Sequence, residues 1–280
     1  MKRVVLIVAG AMALLGVVLV VVGVALGGSP FYSIDAKNYS VQRGDAKCVE
    51  FDQDMDAFTA IDLDLDATDV TIKRGDTYHV HYVLDERLVP GTLKVENGTL
   101  KVYSGSEHWN ISFGFNDWNF ENQYVEITVP ESAKLEDITL NNDAGDFKLS
   151  DLTAVHMEIK DSAGDISCSN IQAKSLSVDN DAGDINLDDV EVVKIHAEVD
   201  AGSIEFRGLK ADQVDMTSSA GSIKGSFVNA LSEYNVDITA DVGDIEVDGT
   251  NQGSEYHVKA SGDKTITMET SVGEVEISGK

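Results

Sequence analysis

From residue 138 onward the apolar positions return on one beat. Ile138, Met157, Leu176, Ile195 and Val214 form one column; Leu140, Ile159, Val178, Ala197 and Met216 form the next. Phe147, Ile166, Ile185, Ile204 and Ile223 form a third. A fourth runs through Leu149, Cys168, Leu187 and Phe206 and is interrupted by Gly225; a fifth is Leu152, Ile171, Val190, Leu209 and Val228. Within each repeat the first and second columns, like the third and fourth, are two residues apart, the period of a strand with one buried face. No stretch beyond Leu26 holds a 3.6-residue period, so no helix is expected there.

Between the second and third columns lies a small-residue turn: Asp143-Ala144-Gly145-Asp146, Ser162-Ala163-Gly164-Asp165, Asp181-Ala182-Gly183-Asp184, Asp200-Ala201-Gly202-Ser203 and Ser219-Ala220-Gly221-Ser222. The glycines step by 19 residues; looser copies follow at Gly243, after 22, and Gly273, after 30. The unit is therefore strand, glycine turn, strand, connection. One unit cannot bury its apolar face alone, whereas stacked units close a common core. The expected fold is all-β, a β-solenoid (β-helix or β-roll-like) with 19-residue rungs, spaced about 4.8 Å apart. Glycine supplies a positive φ at the turn, and the recurring alanine is expected to point into a tight corner.

An earlier copy lies upstream. Ile61, Leu63, Ala67, Val70 and Ile72 repeat the spacing of Ile138, Leu140, Ala144, Phe147 and Leu149, offset by 77, with Thr68 where glycine would be. The chain is expected to enter the solenoid here, insert a β lobe over about 78–130, and return. Within the insert, 78–83 and 124–129 alternate, and Asn97-Gly98 between two alternating runs suits a type I′ hairpin.

The N-terminus reads differently. After Met1-Lys2-Arg3, residues 4–26 carry no charge. As a helix they span about 34 Å, enough to cross a bilayer core. A cleaved signal peptide is the rival reading, but its apolar region is usually about 7–15 residues. Ala25-Leu26-Gly27 is the nearest approach to a cleavage site, and the apolar boundary has no Cys for lipidation. A retained single-pass transmembrane helix is the reading taken. Lys2 and Arg3 hold residues 1–3 in the cytoplasm, 27–49 form a stem, and 50–280 form an extracytoplasmic domain.

The N-terminal anchor, the Asp/Ser-Ala-Gly-Asp/Ser turns and the early Asp62-Leu63-Asp64-Leu65 copy resemble the bacterial putative-adhesin family, a domain of unknown function. The resemblance covers about residues 50–280. It implies a repetitive β-solenoid in the cell envelope with adhesive or envelope-stress roles, and it supplies no catalytic residues. The late 22- and 30-residue spacings and the long insert depart from the family's regularity.

Charge narrows the partners. The chain carries 21 basic and 49 acidic side chains, a net of −28. Such a surface repels phosphate backbones, which argues against nucleic acid. The expected partners are the membrane, through the anchor, and a protein or cell-surface glycan. Asp146, Asp165, Asp184, Ser203, Ser222, Asp244 and Glu274 follow the turn glycines; Asp143, Ser162, Asp181, Asp200, Ser219, Asp241 and Ser271 precede them by two. Stacked carboxylates suggest Ca²⁺, but the glycine-doubled nonapeptide of calcium-binding β-rolls is absent. Hydrogen bonding to turn N–H groups is the reading preferred, so no cofactor and no metal site is assigned.

Trp109, Phe113, Phe115, Trp118, Phe120 and neighbouring Tyr124 are candidates either for partner binding or for shielding an open solenoid end. His79 and His81 share a strand face but show no third metal ligand. Cys168 falls in a core column; a disulfide to Cys48 is left open. Asn38, Asn97 and Asn110 begin glycosylation sequons. No nucleophile elbow, phosphate loop, zinc-protease or dinucleotide motif occurs, so no enzyme is expected. The function expected is a non-catalytic adhesion or interaction module. The alternative is a structural or regulatory partner of a membrane-bound envelope-stress signalling system, and a carbohydrate-active enzyme ranks below both.

Overall fold

The computed structural model describes residues 32–35, 40–42, 48–86, 88–105, 110–113 and 123–279. The proposed membrane segment, 4–26, lies outside them. Among the described residues no helix is long and apolar enough to cross a membrane.

The main body is a parallel stack. Strands entering the turn form one ladder in which β8 (Thr99–Tyr103), β4 (Ala60–Leu65), β11 (Asp137–Asn142) and β13 (His156–Asp161) follow one another. The ladder continues through the later halves of β14 (Ile166–Ala182) and β15 (Ile185–Ala201) to β17 (Gln213–Ala220). Strands leaving the turn form a second ladder: β10 (Tyr124–Pro130), β5 (Asp69–Gly75), β12 (Phe147–Ser150), the starts of β14 and β15, then β16 (Ile204–Leu209) and β18 (Ile223–Phe227). The middles of β14 and β15 pair on a third face through Ile171 and Val190.

The columns read from the sequence are the registers of these ladders. Ile166, Ile185, Ile204 and Ile223 pair in turn, and all four are fully buried. The early copy stacks as expected, with Ile61 on Ile138 and Val70 on Phe147. Two column readings need correction. The register shifts between Phe206 and Leu209, so Leu209 pairs with Phe227, which is buried, while Val228 is exposed. The gap at Gly225 is filled by Phe206: a Cβ there would meet its carbonyl oxygen and its ring.

Four strands of the insert belong to the stack. β8 stacks on β4 and β10 on β5, so these two extend both ladders beyond the coil of 60–75. β7 (Thr92–Glu96) lies antiparallel on β8, and β6 (His79–Asp85) antiparallel on β10. Asn97 and Gly98 have φ of 53° and 77°, as a type I′ turn requires. β3 (Cys48–Asp54) then pairs with β6. These antiparallel strands cover this end.

The far end is built the same way. β23 (Thr265–Val272) lies between β17 and β19 (Asn235–Val242), and β24 (Val275–Ser278) lies between β18 and β20 (Ile245–Val247). The last coil in sequence is therefore the last but one in space. β22 (Glu255–Val258) and β21 (Thr250–Gly253) close the end antiparallel.

A second, smaller unit contains a three-stranded antiparallel sheet. β1 (Tyr32–Asp35), from the segment read as a stem, pairs with β2 (Ser40–Gln42) and with β9 (Asn110–Phe113) from the aromatic run.

Candidate functional site: the stacked corner

All the turn glycines lie along one corner of the stack. Gly183 has φ of 137°, and a Cβ on it would overlap the carbonyl of Gly164. Glycine is needed twice over, for the left-handed backbone and for the close approach of the coil beneath. Its N–H donates to the Ala201 carbonyl of the next coil at 3.1 Å. The alanines do not point inward as expected. Ala163, Ala182, Ala201 and Ala220 are exposed, and the equivalent Val242 and Val272 are 64% and 56% exposed. Tightness at the corner falls on glycine alone.

The residues after the glycines form a hydrogen-bonded file. The Asp69 carboxylate accepts from the Asp146 N–H at 2.9 Å, Asp146 from Asp165 at 2.9 Å, and Asp165 from Asp184 at 2.8 Å. Asp184 accepts from the Ser203 N–H at 2.8 Å; the Ser203 hydroxyl accepts from Ser222, and the Ser222 hydroxyl from Glu274. The turn role assigned to these side chains holds, but each reaches the coil above rather than its own turn. Among the described residues no cluster of three or more His, Cys, Asp or Glu side chains is placed to hold a metal ion.

A third polar file escaped the sequence reading. Three residues before five of the seven turn glycines stand Asn142, Asp161, Asn180, Ser218 and Thr270, all buried; before Gly202 and Gly243 the position is the apolar Val199 and Ala240. The signal was there: these positions continue the inward alternation of Leu140, Ile159 and Val178, yet they are polar. Asn180 Nδ2 donates to the Gly164 carbonyl at 2.9 Å, Ser218 Oγ to Gly202 at 3.0 Å and Thr270 Oγ1 to Gly221 at 3.0 Å. Asn142 Nδ2 reaches the Thr68 carbonyl at 3.2 Å. Each thus ties its coil to the corner carbonyl of the coil beneath.

The sequence between β8 and β10 departs from this pattern. β4 and β5 are joined by Asp66-Ala67-Thr68, whereas β8 and β10 are separated in sequence by a longer segment that includes Trp109, Phe113, Phe115, Trp118 and Phe120. Phe113 pairs with Tyr32 in the small sheet; the other four lie outside the described residues. Beyond β8 and β10, the strands β3, β6 and β7 cover this end of the stack.

His79 lies between Asp52 at 2.8 Å and Asp54 at 3.0 Å, and His81 lies 3.4 Å from Glu50 and 3.3 Å from the Tyr124 hydroxyl. The hydrogen bond from His79 holds the Asp54 carboxyl below its ordinary range. Both cysteines are free, so the disulfide left open by the sequence is not formed. Burial pushes the Cys168 thiol up to about 12.

The family model described as Toastrack DUF4097 matches residues 58–278. No curated protein matches. Among solved structures, the chain is similar to a putative cell adhesion protein from Clostridium sporogenes, with 16% identity over 84% of this chain and 100% of that one, at a TM-score of 0.43. It is similar to a putative adhesin from Bacteroides fragilis, with 13% identity over 84% and 97% and a TM-score of 0.44. A putative lipid binding protein from Parabacteroides distasonis shows 15% identity over 85% and 98%, at 0.45.

Proposed function

We propose that this chain, which belongs to the Toastrack DUF4097 family, is a non-catalytic adhesion or interaction module of the cell envelope. Residues 4–26 anchor it, Lys2 and Arg3 stay in the cytoplasm, and the acidic solenoid stands outside the membrane. Its partner is a protein or a cell-surface glycan.

The observation that carries this reading is the aromatic composition of the segment between β8 and β10. In the sequence, the segment that joins β8 to β10 holds two Trp and three Phe, whereas β4 and β5, the strands these two pair with, are joined by the short Asp66-Ala67-Thr68. Exposed aromatic side chains supply large contact area at low entropic cost and stack on sugar rings. The corner supports the same reading, because its carboxylates are committed as acceptors between coils rather than gathered for acid–base work.

The test uses the full chain in detergent micelles, with Trp109→Ala and Trp118→Ala variants, measured for melting temperature and for binding to envelope glycans and extracts. Lost binding at unchanged melting is expected. Lowered melting with binding intact would make the aromatics structural and overturn the reading.

A further inference from the structure

Asp161 breaks the chemistry of the inner polar file. Its neighbours in the file donate to the corner carbonyl beneath them through an amide or a hydroxyl; an ionised carboxylate has no proton to donate. The geometry is nevertheless the same. A Cβ on Gly183 would meet Gly164 O and Asn180 Nδ2, one on Gly221 would meet Gly202 O and Ser218 Oγ, and one on Gly273 would meet Gly221 O and Thr270 Oγ1. A Cβ on Gly164 would meet Gly145 O and Asp161 Oδ2. Asp161 Oδ2 thus stands where Asn180, Ser218 and Thr270 place a donor, next to a carbonyl oxygen.

We propose that Asp161 is protonated in the folded chain and donates to the Gly145 carbonyl, which makes this corner a proton-binding site whose occupancy sets the stability of the stack.

The surroundings favour the neutral acid. Asp161 is 4% exposed, and neither carboxyl oxygen has a hydrogen-bond partner of good geometry. The charges in the adjoining turns are acidic: Asp143 and Asp146 beneath, Asp165 in its own turn, and Asp181 and Asp184 above. The cation on its own strand, Lys160, is taken by Glu158 at 2.7 Å. Burial, first, and then Asp146 and Asp143 push the carboxyl up to about 6; the nearby Ala163 and Ser162 N–H groups favour the anion but do not offset burial. A cation could also satisfy facing oxygens, but among the described residues no group of three His, Cys, Asp or Glu side chains is placed to hold one. A proton needs no such group.

The sign follows from linkage. The folded chain holds the proton to about pH 6, while the unfolded chain releases it near 3.8. The stabilisation is therefore complete below pH 3.8 and is lost as pH rises through about 6. Asp161→Asn restores a permanent donor, as at Asn142 and Asn180.

The test is a carboxyl ¹³C titration of the full chain in micelles, with melting curves of wild type and Asp161→Asn from pH 4 to 8. The Asp161 resonance should keep its protonated position at pH 5 and titrate near 6. Asp161→Asn should melt higher than wild type at pH 7, with the gap closing toward pH 4. Titration in the ordinary carboxylate range overturns the proposal, as does a gap that does not change with pH. A rise in wild-type melting with Ca²⁺ that Asp161→Asn lacks also overturns it, making the site a cation site. The titration decides the question on wild type even if the variant fails to fold.

Discussion

The backbone N–H of Gly221 donates to the carbonyl of Val272 at 2.9 Å. Gly273 in turn donates to Val242 at 3.0 Å. The chain thus leaves the coil of 213–227, builds the outermost coil and its antiparallel cover, and returns to fill the place between. The other end is laid out likewise, with β4 and β5 inside β8 and β10. An open solenoid edge invites pairing with other chains; here the regular parallel edge lies under antiparallel strands at both ends.

This order predicts how truncation behaves. Removing residues 264–280 deletes β23 and β24, the strands on which β19 and β20 rest. The loss should therefore extend past the cut, because β19 to β22 then have no neighbour inside the stack. Limited proteolysis of the truncated chain should give a resistant fragment ending near Phe227. A fragment ending near Val258 would show that the outer coil holds without its neighbour.

Gly183→Ala sets a methyl against the Gly164 carbonyl and forces a strained φ. Strain of this kind costs about 1–3 kcal/mol before the overlap is counted. Gly249→Ala is the control: its φ is also positive, at 74°, but nothing lies within 4 Å of the added carbon. Urea unfolding should show the larger loss at Gly183. Equal losses would mean that the coils slide apart without penalty.

The Asp file makes an unusual equivalence testable. Asp184 and Ser203 do the same work on successive coils, each accepting one backbone N–H. Asp184→Ser should therefore be nearly neutral, whereas Asp184→Ala leaves the Ser203 N–H without that acceptor and should cost about 1 kcal/mol, the net worth of a hydrogen bond. Ca²⁺ should not shift the melting temperature of the wild type. A shift of several degrees would return the file to metal binding.

The stack was legible in the sequence because one apolar column per strand position repeats without drift from Ile138 to Ile223. Three things were not. The swapped ends are invisible because Gly243 and Gly273 carry the same turn, and only pairing shows which lies outside. Thr68 stands where the later coils have glycine, yet its N–H donates to the Ala144 carbonyl at 2.8 Å and its carbonyl accepts from Asn142, so it makes the corner's hydrogen bonds without glycine. The inner polar file was passed over because Asn142, Asp161 and Asn180 resemble turn residues, although their side chains are buried. At the aromatic run, composition marked the segment, and of its five candidates only Phe113 falls among the described residues, paired with Tyr32.

Phe206 holds two irregularities together. It is 1% exposed, fills the space left by Gly225, and meets Phe227 edge to face at 5.0 Å. Phe206→Ala should cost about 3–5 kcal/mol, as for a large aromatic cut out of a packed core. Chemical denaturation measures this; a cost under about 1 kcal/mol would mean that the register shift toward Phe227 closes the cavity.

The cysteines give the simplest check on the interior. Cys168 pairs with Leu149 and Leu187 in the core, and its thiol is held up to about 12 because burial penalises the thiolate. The thiolate is the reactive form, so the native chain should leave Cys168 unmodified by a thiol reagent at pH 8. Cys48 is exposed and free and should react at once. One thiol is therefore expected in the native chain and two after unfolding in denaturant without reductant. No reactive thiol before reduction would indicate a disulfide and contradict the free pair. Two reactive thiols in the native chain would mean that the Leu149–Cys168–Leu187 column opens to solvent, and the close packing between coils would have to be abandoned with it.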